Sequence, residues 1–167
     1  GLNYGATIFA HEGYRVEDTI PALVNERPTL MITHIGVYEK ILGSGMTEKD
    51  TFATLRGIYT GGKSISTELQ KKFYDHTGQI IQLGYGMTEA IWLTINRELN
   101  SGDTSSIGKA VPGVNIRIIG ADGKNVSVGE VGEICVSGEM VTPGYWNNKN
   151  LTSEKLQHGW FITGDLG

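Results

Sequence analysis

The stretch RGIYTGGKSISTELQKKFYDHTGQIIQLGYGMTE, Arg56–Glu89, decides how this 167-residue chain is read. Arg56 to Thr60 is a β-type run. After Gly61-Gly62, Ser66 or Thr67 offers a hydroxyl to cap a helix, Leu69 and Phe73 fall one turn apart on one face, and Gly78 is the stop. Ile80 to Leu83 is a second β-type run. Strand, crossover helix and strand together predict a parallel sheet, whose ligand sites form in loops beyond the carboxyl ends of its strands.

Toward the N-terminus the same alternation continues. Ala6 to Ala10 is a short apolar run; Asp18 can cap a helix over Thr19 to Glu26, with Pro21 in its first turn; Leu30 to Thr33 is strand-like. Gly36 to Leu42 and Glu48 to Leu55 read as helical. Beyond about Leu99 the character changes: Val114 to Ile119, Gly132 to Ser137 and Trp160 to Ile162 are short β-type runs divided by turn clusters such as Ala121-Asp122-Gly123-Lys124-Asn125. The expectation is an α/β portion over residues 1–100 and a β-rich, mostly antiparallel portion over 101–167. The polar, aperiodic Ser101-Gly102-Asp103-Thr104-Ser105-Ser106 is the expected boundary.

Composition narrows the function classes. With 39% hydrophobic and 19% charged residues the chain is expected to fold. A net charge of −4 without a basic stripe argues against nucleic-acid partners. Its single cysteine, Cys135, lies in an apolar run and reads as a buried, inert thiol, which leaves no disulfide framework or cysteine-based zinc site. No stretch reaches the ~18 apolar residues of a membrane span and no signal-peptide pattern opens the chain, so a cytoplasmic location is expected. Glycine is in excess, 24 of 167 residues against roughly 7% on average. It sits in separate loops, where backbone turns sharply or meets a ligand closely.

Gly57-Ile58-Tyr59-Thr60-Gly61-Gly62-Lys63-Ser64 satisfies the P-loop pattern of a phosphate-wrapping loop. Its context argues otherwise, because Ile58 and Tyr59 place β-type residues inside the supposed loop and no later strand ends in an aspartate placed to hold the metal. Gly84-Tyr85-Gly86-Met87-Thr88-Glu89 follows a strand. Its glycines would let backbone pass a flat ligand, Tyr85 offers a stacking face, and Thr88 and Glu89 would open a helix or turn with a hydroxyl for phosphate and a hard oxygen for Mg²⁺. A tight turn capped by Thr88 explains the same residues without a ligand. Gly129 to Gly138, with Gly144-Tyr145-Trp146 and Thr152, reads first as hairpin and turn scaffold. Thr163-Gly164-Asp165 puts a carboxylate after a strand, able to accept from both hydroxyls of a ribose or merely to close a turn.

In order, Thr60-Gly61-Gly62, Tyr85-Gly86-Met87-Thr88-Glu89, Gly108-Lys109-Ala110-Val111-Pro112-Gly113, Gly129 to Tyr145 and Thr163-Gly164-Asp165 resemble the adenylate-forming superfamily of the acyl-CoA synthetase kind. The resemblance covers nearly the whole chain. It implies a partial domain of that fold, with a barrel-like β-rich part, from an enzyme in which ATP and a carboxylic acid give an acyl-adenylate that a thiol such as coenzyme A then takes up. It also implies roles: Gly61 and Gly62 as one wall of the adenine slot, Tyr85 as its stacking ring with Gly84, Gly86 and Met87 beside it, Thr88 as an α-phosphate donor, Glu89 as the Mg²⁺ ligand and Asp165 as the ribose clamp. Thr88 and Glu89 would be the catalytic pair, and ATP or AMP, Mg²⁺, coenzyme A and a fatty or aryl acid the ligands.

Departures accompany the matches. Lys63 stands where relatives usually carry a small residue, and either swings to solvent or brings charge near the nucleotide. His34 falls in a segment that borders the acyl pocket in relatives, as a pocket residue or a satisfied structural histidine. The family's upstream phosphate loop and C-terminal lid domain have no counterpart here, so the isolated chain is expected to be inactive; oligomeric state is left open. A P-loop NTPase and a noncatalytic α/β module are the alternatives.

Overall fold

Helix α1 (Val16–Glu26), strand β1 (Leu30–Ile32), helix α2 (Ile35–Ser44), a 3₁₀ turn (Lys49–Phe52), strand β2 (Gly57–Gly61), helix α3 (Thr67–Thr77) and strand β3 (Ile81–Tyr85) follow one another in the computed structural model. The structure describes residues 5–10, 15–45, 49–97 and 106–167. Two compact units result, one running to Leu83 and the other built from Gly84 onward. The boundary expected at Ser101–Ser106 lies almost wholly outside the described residues.

In the first unit α3 forms as its sequence dictates. Ser66 accepts a hydrogen bond from the Leu69 amide (3.1 Å), and Gly78, left-handed at φ 72°, returns its N–H to the Tyr74 carbonyl. Phe73 points inward and meets Tyr38 and Phe52 edge-on, with ring centroids 5.3 and 5.7 Å away. Gln70 is buried, and its side-chain amide reaches Ile81 twice, donating to the carbonyl (2.9 Å) and accepting from the N–H (3.2 Å). One amide group thereby satisfies two backbone groups that burial would otherwise orphan. Strands β1 and β2 are parallel, with Met31 opposite Ile58, and β2 lies between β1 and β3.

Three local readings differ from the structure. Helix α1 starts at Val16, not Thr19, because the Arg15 carbonyl already accepts from the Asp18 and Thr19 amides; Asp18 lies in the first turn and pairs with Arg15 at 3.3 Å. Pro21 consequently falls in the second turn. Of the helix expected over Glu48 to Leu55, the described residues from Lys49 onward form only the short 3₁₀ turn, since Phe52 is drawn into the core and the Thr54 hydroxyl is spent on the Pro28 carbonyl (2.9 Å). Ala6 to Ala10 forms no strand, and Ile8 and Phe9 are exposed.

The second unit begins at the end of β3, where Gly84 and Tyr85 pair antiparallel with β4 (Thr94–Ile95), which pairs in turn with β5 (Lys109–Ala110). The β-rich part is a four-stranded antiparallel sheet of β6 (Val114–Ile119), β7 (Glu133–Gly138), β8 (Leu156–Gln157) and β9 (Trp160–Leu166), in the order β6-β7-β9-β8, with helix α4 (Lys149–Lys155) before β8. Alternation sorts its residues. Val114, Ile134, Val136 and Phe161 face a core shared with Ala90 and Leu93. Cys135 faces the other way yet is fully buried, opposite Arg117, whose guanidinium lies 4.3 Å over the Trp160 ring. The thiol therefore has an electropositive neighbour that its sequence context does not show. Burial outweighs that charge and pushes the Cys135 thiol up, which keeps it inert.

Candidate functional site

Gly84 to Glu89 leaves the sheet in a tight reversal. The Ala90 amide donates to the Met87 carbonyl (3.1 Å), closing a turn over Thr88 to Ala90, and the Leu93 amide donates to Tyr85 (2.8 Å), bringing the chain back into β4. Of the two local outcomes open to Thr88 and Glu89, the turn is the one formed. Space around the glycines is taken by the chain itself. A Cβ at Gly84 would lie 1.6 Å from Trp92 Cζ3, and one at Gly86 would lie 1.8 Å from the Ile91 carbonyl oxygen. Both glycines are therefore demanded by internal packing before any ligand is considered. Met87 packs against the unit's core, while Thr88 is exposed.

Asp165 arrives at this turn through a bulge. Along β7 the paired residues Glu133 and Cys135 are two apart, whereas their partners Leu166 and Ile162 on β9 are four apart, so β9 carries two extra residues there. Gly164 supplies the positive φ (86°) that the bulge needs, and its N–H donates to Glu133 Oε1 at 2.9 Å. The Thr163 hydroxyl donates to the Ile134 carbonyl (2.8 Å) and accepts from the Asp165 amide (3.0 Å). Asp165 thus sits within a bulged strand, not in a turn after it, and the bulge re-aims its side chain. The Tyr85 hydroxyl donates to Asp165 Oδ2 at 2.5 Å, a short charge-assisted bond between residues 80 positions apart. Partial burial first, then this bond and the charges of Asp165 and Glu89, push the Tyr85 phenol up to about 12, with Thr163 opposing. Tyr85 is a neutral donor at ordinary pH, flanked by two carboxylates.

Glu89 is also held. The Tyr145 hydroxyl donates to Glu89 Oε1 (2.8 Å), and the Thr142 amide donates to the Glu89 carbonyl (2.7 Å). Hydrogen bonding to Glu89 pushes the Tyr145 phenol up. Among the described residues no group of three or more His, Cys, Asp or Glu side chains is placed to hold a metal ion. A cation at Glu89 would therefore draw most of its ligands from phosphate oxygens and water, a pattern that suits Mg²⁺ and not a protein-caged metal.

Sequence reading missed Tyr145 and Thr163 as site residues. Thr163 could have been found as the hydroxyl two residues before Asp165; no spacing signal links Tyr145 to Glu89.

In the first unit, Gly61 is the last residue of β2 and Gly62 follows with φ 81° and open space around it. Thr60 is fully buried, and its hydroxyl has no partner among the described residues. The P-loop alternative fails here. Gly57 to Gly61 is a strand whose backbone is engaged, with Tyr59 accepting from the Thr33 amide (3.2 Å), and α3 opens only at Thr67, three residues after Ser64. A phosphate-wrapping loop needs those amides unpaired and the helix immediately after the lysine. Lys63 is exposed. His34 is the N-cap of α2, its Nδ1 accepting from the Gly36 amide at 3.2 Å, which gives it a structural task.

No helix among the described residues is long and apolar enough to cross a membrane. The chain is 31% identical to indoleacetate–CoA ligase of Aromatoleum aromaticum over 99% of its length and 33% of that protein's, and 32% identical to feruloyl-CoA synthase of an Amycolatopsis species over 97% and 33%. It superposes on apo MatB from Rhodopseudomonas palustris with a TM-score of 0.84 and 28% identity, covering 92% of this chain and 30% of that one. The chain thus spans about a third of the length of the relatives it matches. A sequence profile described as AMP-binding enzyme matches residues 1–146, and with these relatives it establishes that the chain belongs to the AMP-binding enzyme family.

Proposed function

We propose that this chain is part of an ATP-dependent acid–thiol ligase, an AMP-forming acyl-CoA synthetase, and that its second unit carries the ribose and metal contacts of the nucleotide. One observation supports this above all: Tyr85 and Asp165, which the sequence resemblance assigns separately to adenine and ribose, are joined by a direct hydrogen bond. A base stacked on the Tyr85 ring would leave its ribose near the Asp165 carboxylate, whose second oxygen can accept from ribose hydroxyls. Gly84, Gly86 and Met87 would shape the surround. The roles of Gly61 and Gly62 in binding adenine rest on the resemblance alone.

The reaction proposed for the intact protein has two balanced halves. A carboxylate oxygen of the acid attacks the α-phosphorus of ATP, forming an acyl-adenylate and releasing pyrophosphate. The coenzyme A thiol then attacks the acyl carbon and gives up its proton to solvent, forming a thioester as the acyl–phosphate C–O bond breaks and AMP leaves. The protein's contribution is positioning and charge stabilisation. Thr88, exposed on the turn, would donate its hydroxyl to the α-phosphate, and Glu89 would orient a Mg²⁺ that neutralises phosphate charge when bound. The acid is fatty or aryl; relatives are named for indoleacetate, for ferulate and, in Haemophilus influenzae, for long-chain fatty acids. A cytoplasmic setting and a place in fatty or aryl acid metabolism belong to the same proposal. Because the chain spans about a third of its relatives, it is expected to bind nucleotide without completing the ligation.

Calorimetry of AMP with the chain and its Asp165→Ala variant tests the reading. Losing the charged hydrogen bonding to ribose, about 1.5–3 kcal/mol in all, should weaken binding about 10- to 150-fold. Equal affinity for the two proteins would overturn it.

A further inference from the structure

We infer that Tyr145 is a positioning residue for Glu89: it fixes the carboxylate in the orientation from which a nucleotide-bound Mg²⁺ is engaged. The inference rests on the proposed metal role of Glu89 and adds to it a residue that the sequence marked only as scaffold.

The geometry points to Tyr145 through two contacts. Glu89 is half-buried at the centre of a turn, between exposed Thr88 and fully buried Ala90, where a flexible carboxylate would otherwise sample several rotamers. Its main chain is pinned by the Thr142 amide and its side chain by the Tyr145 hydroxyl, so residues 142–145 clamp both ends of one residue. That segment is itself rigidly built. The Thr142 hydroxyl donates to the Gly144 carbonyl (3.0 Å) and accepts from the Gly144 amide (3.3 Å), and the Tyr145 amide donates to the Thr152 hydroxyl (2.9 Å). The Tyr145 ring packs on buried Phe161, with centroids 6.4 Å apart, which sets the direction of its hydroxyl. A phenol that occupies Oε1 leaves the rest of the carboxylate for a cation. It also supplies the outer hydrogen bond by which metal-ligating carboxylates are commonly oriented.

The test compares the chain's affinity for ATP with and without saturating Mg²⁺ by calorimetry, the ratio being the metal-dependent gain. Tyr145→Phe keeps the ring and its packing on Phe161 and deletes only the hydroxyl. It should reduce the gain about 10-fold, while affinity for AMP without metal is unchanged. Glu89→Gln serves as the discriminator. If Glu89→Gln abolishes the gain and Tyr145→Phe leaves it intact or enlarged, the positioning role is refuted and the metal reading survives. If Glu89→Gln retains the gain, or the unaltered chain shows none, the metal reading fails and the inference falls with it.

Discussion

Replacing Gly86 by alanine probes the turn on which the candidate site depends. The added Cβ would stand 1.8 Å from the Ile91 carbonyl oxygen, and real Cβ contacts stay beyond 3.0 Å, so the reversal must open by more than about 1 Å. The obstruction is backbone, tied back by the Leu93 amide to Tyr85, so no rotamer change relieves it. Overpacking of this kind costs about 1–3 kcal/mol, and for a chain this size each kcal/mol lowers Tm by about 2–4 °C. Gly84→Ala meets the Trp92 ring instead, a side chain, so Gly84→Ala combined with Trp92→Leu should recover part of the loss, whereas no side-chain truncation should rescue Gly86→Ala. Gly43→Ala is the control of opposite sign. It lies inside α2 with nothing within 4 Å of its Cβ, and should stabilise by up to about 1 kcal/mol. Thermal unfolding followed by circular dichroism reads these four variants against the unaltered chain. An unchanged Tm for Gly86→Ala would refute the steric argument.

Further outcomes are expected. Ser66→Ala removes the α3 cap and should lower stability by about 1 kcal/mol in urea unfolding, with m unchanged. Tyr38→Phe deletes a buried phenol that donates to the Tyr59 carbonyl (2.9 Å); because that carbonyl keeps the Thr33 amide, the loss should stay near 1 kcal/mol in the same assay. Tyr85, raised to about 12 from an ordinary value near 10, keeps its proton in the folded state while the unfolded chain loses its own. Its contribution to stability is therefore full below about pH 10 and lost as pH rises toward 12. Ultraviolet titration should show a late-ionising tyrosine that moves down in Asp165→Asn; a titration identical in both proteins would contradict the Tyr85–Asp165 bond.

Local chemistry was legible where one short-range interaction decides the outcome. Ser66 and Gly78 bracket α3 because a hydroxyl and a left-handed glycine act on their own neighbours. Val114 to Ile119 reads as a strand because its β-type residues Val114, Ile116 and Ile118 fall on the core side of the sheet. Readings failed where a distant partner decides. The Thr54 hydroxyl prefers the Pro28 carbonyl, 26 residues away, and the described residues 49–55 form no α-helix. The bulge that delivers Asp165 depends on register with β7, and the Glu89–Tyr145 bond spans 56 residues; neither leaves a trace in local pattern. The P-loop match at Gly57 shows the converse, a perfect local pattern overridden by strand pairing.

On the proposed reading, the Tyr85 turn and the Asp165 bulge hold the nucleotide. An amide chemical-shift map of the chain titrated with AMP tests it most directly. Saturable shifts are expected at residues 84–89 and at Thr163, Gly164 and Asp165, larger than any at Lys63 and Ser64, which adjoin the Gly61-Gly62 pair proposed to border adenine. Shifts concentrated at Lys63 and Ser64, or none that saturate, would contradict it.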